Sequence, residues 1–236
     1  MPSGRSDKMD NTPINLRIKF KKVGDLQYIS HLDLVRTMQK IIVRAKLPLW
    51  YTEGFNPKPK MVFAAPLSIG TESVTEFLDV RLSERMDPEE AKRLLNRNMT
   101  DEMQVLEAYY PTLKQTDLKW MSYTITVRTV GAGDDVAERC NDALKSEKIE
   151  IMKKGKKGET LADIKPLIKS ASAVFCRGEI IISCILSADP SAFLNPEHII
   201  KYLRAECGIL SGENLLSEGY SIMRERAFCE DMSEFK

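Results

Sequence analysis

Apolar and polar residues alternate from residue 14 to residue 21. Ile14, Leu16, Ile18 and Phe20 fall on one side, and Arg17, Lys19 and Lys21 on the other. A period of two marks a strand with one buried face. After the Gly24-Asp25 turn the period lengthens. Leu34, Val35, Met38, Ile41, Ile42 and Ala45 recur at helical spacing, which predicts a helix from about His31 to Lys46. Ser30 is its expected cap, Asp33 closes a short capping box, and Pro48 ends it. A strand over Met61 to Ala65 and the alternating EFLDVRL follow. Asp87-Pro88 then opens a second helix, because proline tolerates the first helical position. MQVLEAYYP supplies a fourth strand.

The order strand, helix, strand, strand, helix, strand then recurs. WMSYTITVRTV reads as a strand, DDVAERCNDALKSE as a helix, and IEIMKKG as a strand running into the basic turn KKGKKGET. ADIKPLIKSASAV has no clear period. GEIIISCILSA reads as a buried strand, NPEHIIKYLRAECG as a helix ending on Gly208, and GYSIMRERAFCE as a last strand. The prediction is an α+β fold of two tandem ferredoxin-like (βαββαβ) units with antiparallel sheets. The first would span 14–111 and the second 119–236, joined through PTLKQTDL, with residues 1–13 as a disordered leader.

Composition narrows the class. The 236 residues are 43% hydrophobic and 29% charged, in keeping with a soluble globular protein. No apolar run approaches the roughly 20 residues that span a bilayer, so no membrane association and a cytoplasmic location are expected. The five cysteines, Cys140, Cys176, Cys184, Cys207 and Cys229, include no C-x-x-C and read as reduced thiols. Neither a metal site nor a cofactor is expected, and the closely spaced cysteines of an iron–sulfur cluster are missing. Net charge is only +1, yet Lys and Arg outnumber acids in the first sixty residues and acids prevail afterwards. That segregation suits an oriented contact with an anionic partner.

Candidate chemistry concentrates in the basic part. His31, in the first turn of its helix, could act as an acid–base group or bond a ligand, with Asp33 orienting it. Arg36, Lys40 and Arg44 recur every four residues as a basic ridge. In YTEGFNPKPK, Pro57 and Pro59 stiffen the backbone and Gly54 allows a bend. Tyr51 and Phe55 could stack on bases there, while Asn56, Lys58 and Lys60 meet polar groups and phosphates, a pairing suited to single-stranded RNA.

The stretches SHLD…R, GFNPKPK and PLSIGTES, with ADIKPLI further on, resemble a bacterial family known as radical SAM-linked proteins, in its free-standing form. The resemblance covers most of the chain from about Leu16. It implies partnership with a radical SAM protein and carries over no catalytic residue. The expected fold also resembles two RNA-acting groups, pseudouridine synthases and CRISPR repeat-RNA endonucleases, without their catalytic motifs. The resulting expectation is an RNA-binding accessory protein that presents tRNA or rRNA to a separate radical SAM enzyme. Two alternatives stand beside it: an RNA-processing or RNA-modifying enzyme using His31, and a protein-interaction scaffold for the radical SAM partner.

Overall fold

The computed structural model describes residues 12–155, 158–212 and 217–236. All but the last two residues of the expected leader, and the tip of KKGKKGET, lie outside the described residues.

The first half runs β1 (Ile14–Lys22), α1 (His31–Arg44), β2 (Met61–Ala64), β3 (Thr71–Leu82), α2 (Pro88–Asn96) and β4 (Met103–Tyr109). β1 lies antiparallel between β4 and β3, and β2 pairs with the far edge of β3. Alternation puts Leu16, Ile18 and Phe20 of β1, with Leu78, Val80 and Leu82 of β3, on one face. There they bury Leu34, Met38, Ile41 and Ile42 of α1 and Ala91 and Leu95 of α2. Both expected caps form. The Ser30 hydroxyl accepts from the Asp33 amide at 3.1 Å, and Asp87 accepts from the amides of Glu89 and Glu90. These bonds satisfy amides that have no partner within the helix.

The second half runs β5 (Trp120–Arg128), α3 (Asp134–Lys145), β6 (Glu150–Gly155), β7 (Gly158–Asp163), β8 (Ile168–Cys176), β9 (Glu179–Ser187), α4 (Glu197–Cys207) and β10 (Gly219–Phe228). Here the strand prediction needs correction. IEIMKKG forms β6, but among the described residues β6 pairs only with β7, in a separate two-stranded sheet. Its expected place beside β9 belongs to β8, drawn from the stretch without a clear period. α4 starts where NPEH predicts, with Asn195 Oδ1 accepting from the Glu197 amide at 3.1 Å. It ends at Gly208, whose φ of +69° is a left-handed conformation natural to glycine.

Eight strands of the described residues thus form one mostly antiparallel sheet, β4-β1-β3-β10-β5-β9-β8, with β2 also on β3. The halves meet where Thr71–Ser73 of β3 run parallel to Ile222–Arg224 of β10. This seam holds a buried ion pair. The Arg224 guanidinium donates from Nη1 to Glu76 Oε1 at 2.9 Å and to the Ala65 carbonyl at 2.8 Å, and from Nε to the Tyr123 hydroxyl at 3.2 Å. Lys22, also buried, gives its ammonium to the carbonyls of Leu26 and Thr71. Burial lowers its pKa, against the pull of Glu76. Among the described residues no helix is long and apolar enough to cross a membrane.

Candidate nucleic-acid interface

The basic ridge of α1 forms as its spacing predicts: Arg36, Lys40 and Arg44 are all exposed. They differ in company. Arg36 reaches Asp33 at 3.3 Å, whereas Lys40 and Arg44 form no ion pair among the described residues.

The chain leaves α1 over the buried Ala45 and Leu47 and enters a hairpin over residues 50–60. Its arms are tied by bonds from the Lys60 amide to the Trp50 carbonyl and from the Thr52 amide to the Lys58 carbonyl, with a further bond from the Lys58 amide to Thr52 Oγ1. At its root the Trp50 amide donates to the Arg81 carbonyl and the Arg81 amide to the Lys60 carbonyl, which anchors the hairpin to β3. Gly54, with φ at +127°, turns the tip. The aromatics do not fold down onto the sheet. Phe55 is fully exposed at the tip, and Tyr51 keeps 43% of its surface exposed.

Helix and hairpin face one another across an open groove of about 480 Å³. Lys40, Val43 and Arg44 line one side, and Tyr51, Pro57 and Lys58 the other. Four of the predicted binding residues, Lys40, Arg44, Tyr51 and Lys58, are therefore brought together. Phe55 and Asn56 stand exposed at the tip beside it. Lys60 is exposed but sits 5.7 Å from the centroid of the Trp50 ring, held by a cation–π contact.

His31 and Asp33 lie elsewhere. At about 1.5 Å per residue, His31 is roughly 14 Å along the helix from Lys40. Its ring meets Phe63 edge-on, 5.4 Å between centroids. The Asp33 carboxylate is engaged by the Ser30 hydroxyl at 2.7 Å and by Arg36. The Ser30 hydrogen bond, helped by Arg36, holds the Asp33 carboxyl below its ordinary pKa.

Two features escape the sequence reading. An apolar cleft of about 610 Å³ lies between the halves, lined by Phe63 and Pro66 on one side and Leu118, Pro190 and Phe193 on the other. A polar pocket also opens beside Arg17 and Asp79. Both are assembled from segments distant in sequence, and only strand register could have located them. Among the described residues no group of three or more His, Cys, Asp or Glu side chains could hold a metal ion.

Comparison with known proteins gives three results. A chain in the crystal structure of a Cbf5–Nop10–Gar1 complex matches at a TM-score of 0.50 and 15% identity. The match covers 92% of this chain and 50% of that one, so the protein spans about half the length of its structural neighbour. That likeness shows the fold. Two DypB structures, one with manganese and one from Rhodococcus jostii RHA1, give TM-scores of 0.21 and 0.20 at 11% identity. They cover 92% and 89% of this chain and 96% and 92% of theirs, and carry no argument. No curated protein matches. A family model described as "Uncharacterized protein conserved in bacteria (DUF2344)" matches residues 15–196, and the chain belongs to that family.

Proposed function

We propose that this member of the bacterial family binds RNA as an accessory protein, working beside a separate radical SAM enzyme in tRNA or rRNA modification. One observation carries the RNA reading. The groove between α1 and the 50–60 hairpin sets the unpaired cations Lys40, Arg44 and Lys58 around the exposed ring of Tyr51, with Phe55 free at the tip. Cations spaced along a groove meet phosphates, and flat exposed rings stack on unpaired bases. The hairpin is already tied by its own hydrogen bonds, which lowers the ordering cost of binding. The likeness to a chain of the Cbf5–Nop10–Gar1 complex supports the fold and leaves the RNA reading to the groove's own chemistry. The radical SAM partnership rests on the SHLD, GFNPKPK and PLSIGTES stretches.

The same proposal treats the halves as two ferredoxin-like units meeting near residues 111–118. Each half has the strand order 4-1-3-2 when its own sheet strands are numbered along the chain: β4-β1-β3-β2 and β10-β5-β9-β8. An enzyme using His31 has less support, because that ring stands apart from the groove and Asp33 is committed to Ser30 and Arg36.

Fluorescence anisotropy with labelled single-stranded RNA at low salt tests the reading. The double variant Lys40→Glu/Lys58→Glu is expected to lose roughly a hundredfold in affinity. The slope of log K against log salt should flatten by about 1.4, for two lost phosphate contacts. Unchanged affinity would remove the RNA assignment.

A further inference from the structure

The sheet face opposite α1 and α2 carries a second cationic feature. Strand register sets Asn15 beside Arg81 and Arg17 beside Asp79. A polar pocket of about 360 Å³ opens over these four, with Lys114 on its wall. Arg17 is entirely buried. It donates from Nε and Nη2 to the two Asp79 oxygens at 2.7 and 3.0 Å, and its guanidinium lies 4.6 Å from the centroid of the Phe235 ring. Its Nη1 makes no well-aligned hydrogen bond among the described residues. Asn15 donates to Asp79 Oδ2 at 2.9 Å and leaves its own Oδ1 unpartnered. The buried hydroxyl of Tyr109, opposite Arg17 across β1 and β4, forms no well-aligned hydrogen bond either, but it lies against the Arg17 side chain, whose charge works against the burial that raises the tyrosine's pKa.

Packing alone does not call for this arrangement. A buried ion pair can be replaced by apolar residues of similar volume without loss of stability. Buried polar atoms left without partners call for an explanation of their own. The charge balance points outward. Arg17, Arg81 and Lys114 face a single lining carboxylate, Asp79, which leaves two positive charges in excess. Asp117 is near, but its carboxylate accepts from the Lys114 amide at 2.7 Å and does not line the pocket. Asp79 and Phe235 fix the Arg17 guanidinium as an immobile floor. Arg81 forms no ion pair among the described residues.

We infer that this pocket is an oxyanion site for a phosphate group, with Arg81 and Lys114 making the charged contacts above the fixed Arg17–Asp79 floor. The Arg81 backbone also anchors the root of the hairpin. The phosphate has two sources: the end of an RNA that passes from the groove around the sheet edge to this face, or a free phosphorylated small molecule. The shared chemistry is a charge-assisted contact to a tetrahedral anion.

The test uses the full chain and inorganic phosphate, so its result is independent of the RNA reading. Phosphate is expected to raise the thermal unfolding midpoint in a saturable way that chloride at equal ionic strength does not reproduce. Arg81→Gln and Lys114→Gln should each weaken phosphate binding about tenfold by calorimetry. Lys114 is exposed, so its variant keeps the test open should Arg81→Gln fold poorly. RNA oligonucleotides with 5′-phosphate and 5′-hydroxyl ends distinguish the sources. A preference of about tenfold for the phosphorylated end, lost in Lys114→Gln, assigns the pocket to RNA termini. Equal affinity, with inorganic phosphate still bound, assigns it to a small molecule. Identical behaviour in phosphate and chloride, or a phosphate response unchanged in both variants, would overturn the site.

Discussion

α1 and α3 occupy equivalent places, each following the first strand of its half, yet they present opposite surfaces. On α3 the cations are neutralised one turn back: Arg139 meets Asp135 at 2.8 Å and Lys145 meets Asp142 at 3.4 Å. Among the described residues, Arg36 alone on α1 has such a partner, and Lys40 and Arg44 turn unpaired toward the hairpin. Both helices bury a comparable apolar stripe. The shared strand order therefore fixes where a helix sits, while the side chains on its outer face decide whether that place can attract an anion. An exposed i,i+4 pair contributes a few tenths of a kcal/mol to stability. An unpaired ridge forgoes this and keeps its field.

Four experiments would break or sharpen this contrast. The largest effect is expected at the seam joining the halves. Arg224→Ala would leave Glu76 buried without its partner, at a cost of about 3–5 kcal/mol. The unfolding midpoint should drop on the order of 10 °C in a single transition. Two separate transitions in calorimetry would instead mean that the halves fold independently. Next comes charge reversal on the two helices. Lys40→Glu/Lys58→Glu should cost roughly a hundredfold in RNA affinity, and Arg139→Glu/Lys145→Glu less than about threefold. Equal losses would show that overall charge, and not the groove, governs binding.

A smaller loss is expected from Phe55→Ala, about 1–3 kcal/mol in RNA affinity if the ring stacks on a base. The unfolding midpoint should stay unchanged, because the side chain is fully exposed. The smallest effect concerns the start of α1. Ser30→Ala should destabilise by about 1 kcal/mol through loss of the cap. It should also alter the acid limb of stability. Asp33 is held below its ordinary value of 3.8 chiefly by Ser30. Its contribution is thus fully present above that value and lost as pH falls through the lower folded-state value. Without the hydroxyl, the midpoint should depend less on pH below about 4, as thermal melts across the acid range would show.

The helices and most strands were legible because each signal is local. Ser30, Asp87 and Asn195 announce starts, Gly208 an end, and the apolar spacing supplies the rest. β8 was not legible. It is an edge strand built from IKSASAVFC, where alanine and serine stand in for β-branched residues and little of the strand is buried. β6 was recognised as a strand but assigned to the wrong sheet, since alternation shows that a segment is extended without showing its neighbour. In the groove, Lys40, Arg44, Tyr51 and Lys58 could be read because helix spacing and a proline-rich hairpin place them directly. The Arg17–Asp79 pair could not, because the two residues lie 62 positions apart and meet only through register. His31 shows a different limit: a histidine in the first turn of a helix looks the same whether a ligand or Phe63 faces it.

The central position of β10 constrains how the sheet can be completed. β10 is made after every other described strand, yet it sits between β3 and β5. Until it emerges from the ribosome, β5 presents a raw hydrogen-bonding edge, as does the Thr71–Ser73 stretch of β3 that β2 leaves uncovered, the kind of edge that recruits foreign chains. Synthesis thus passes through an interval in which two half-sheets wait for a common keystone.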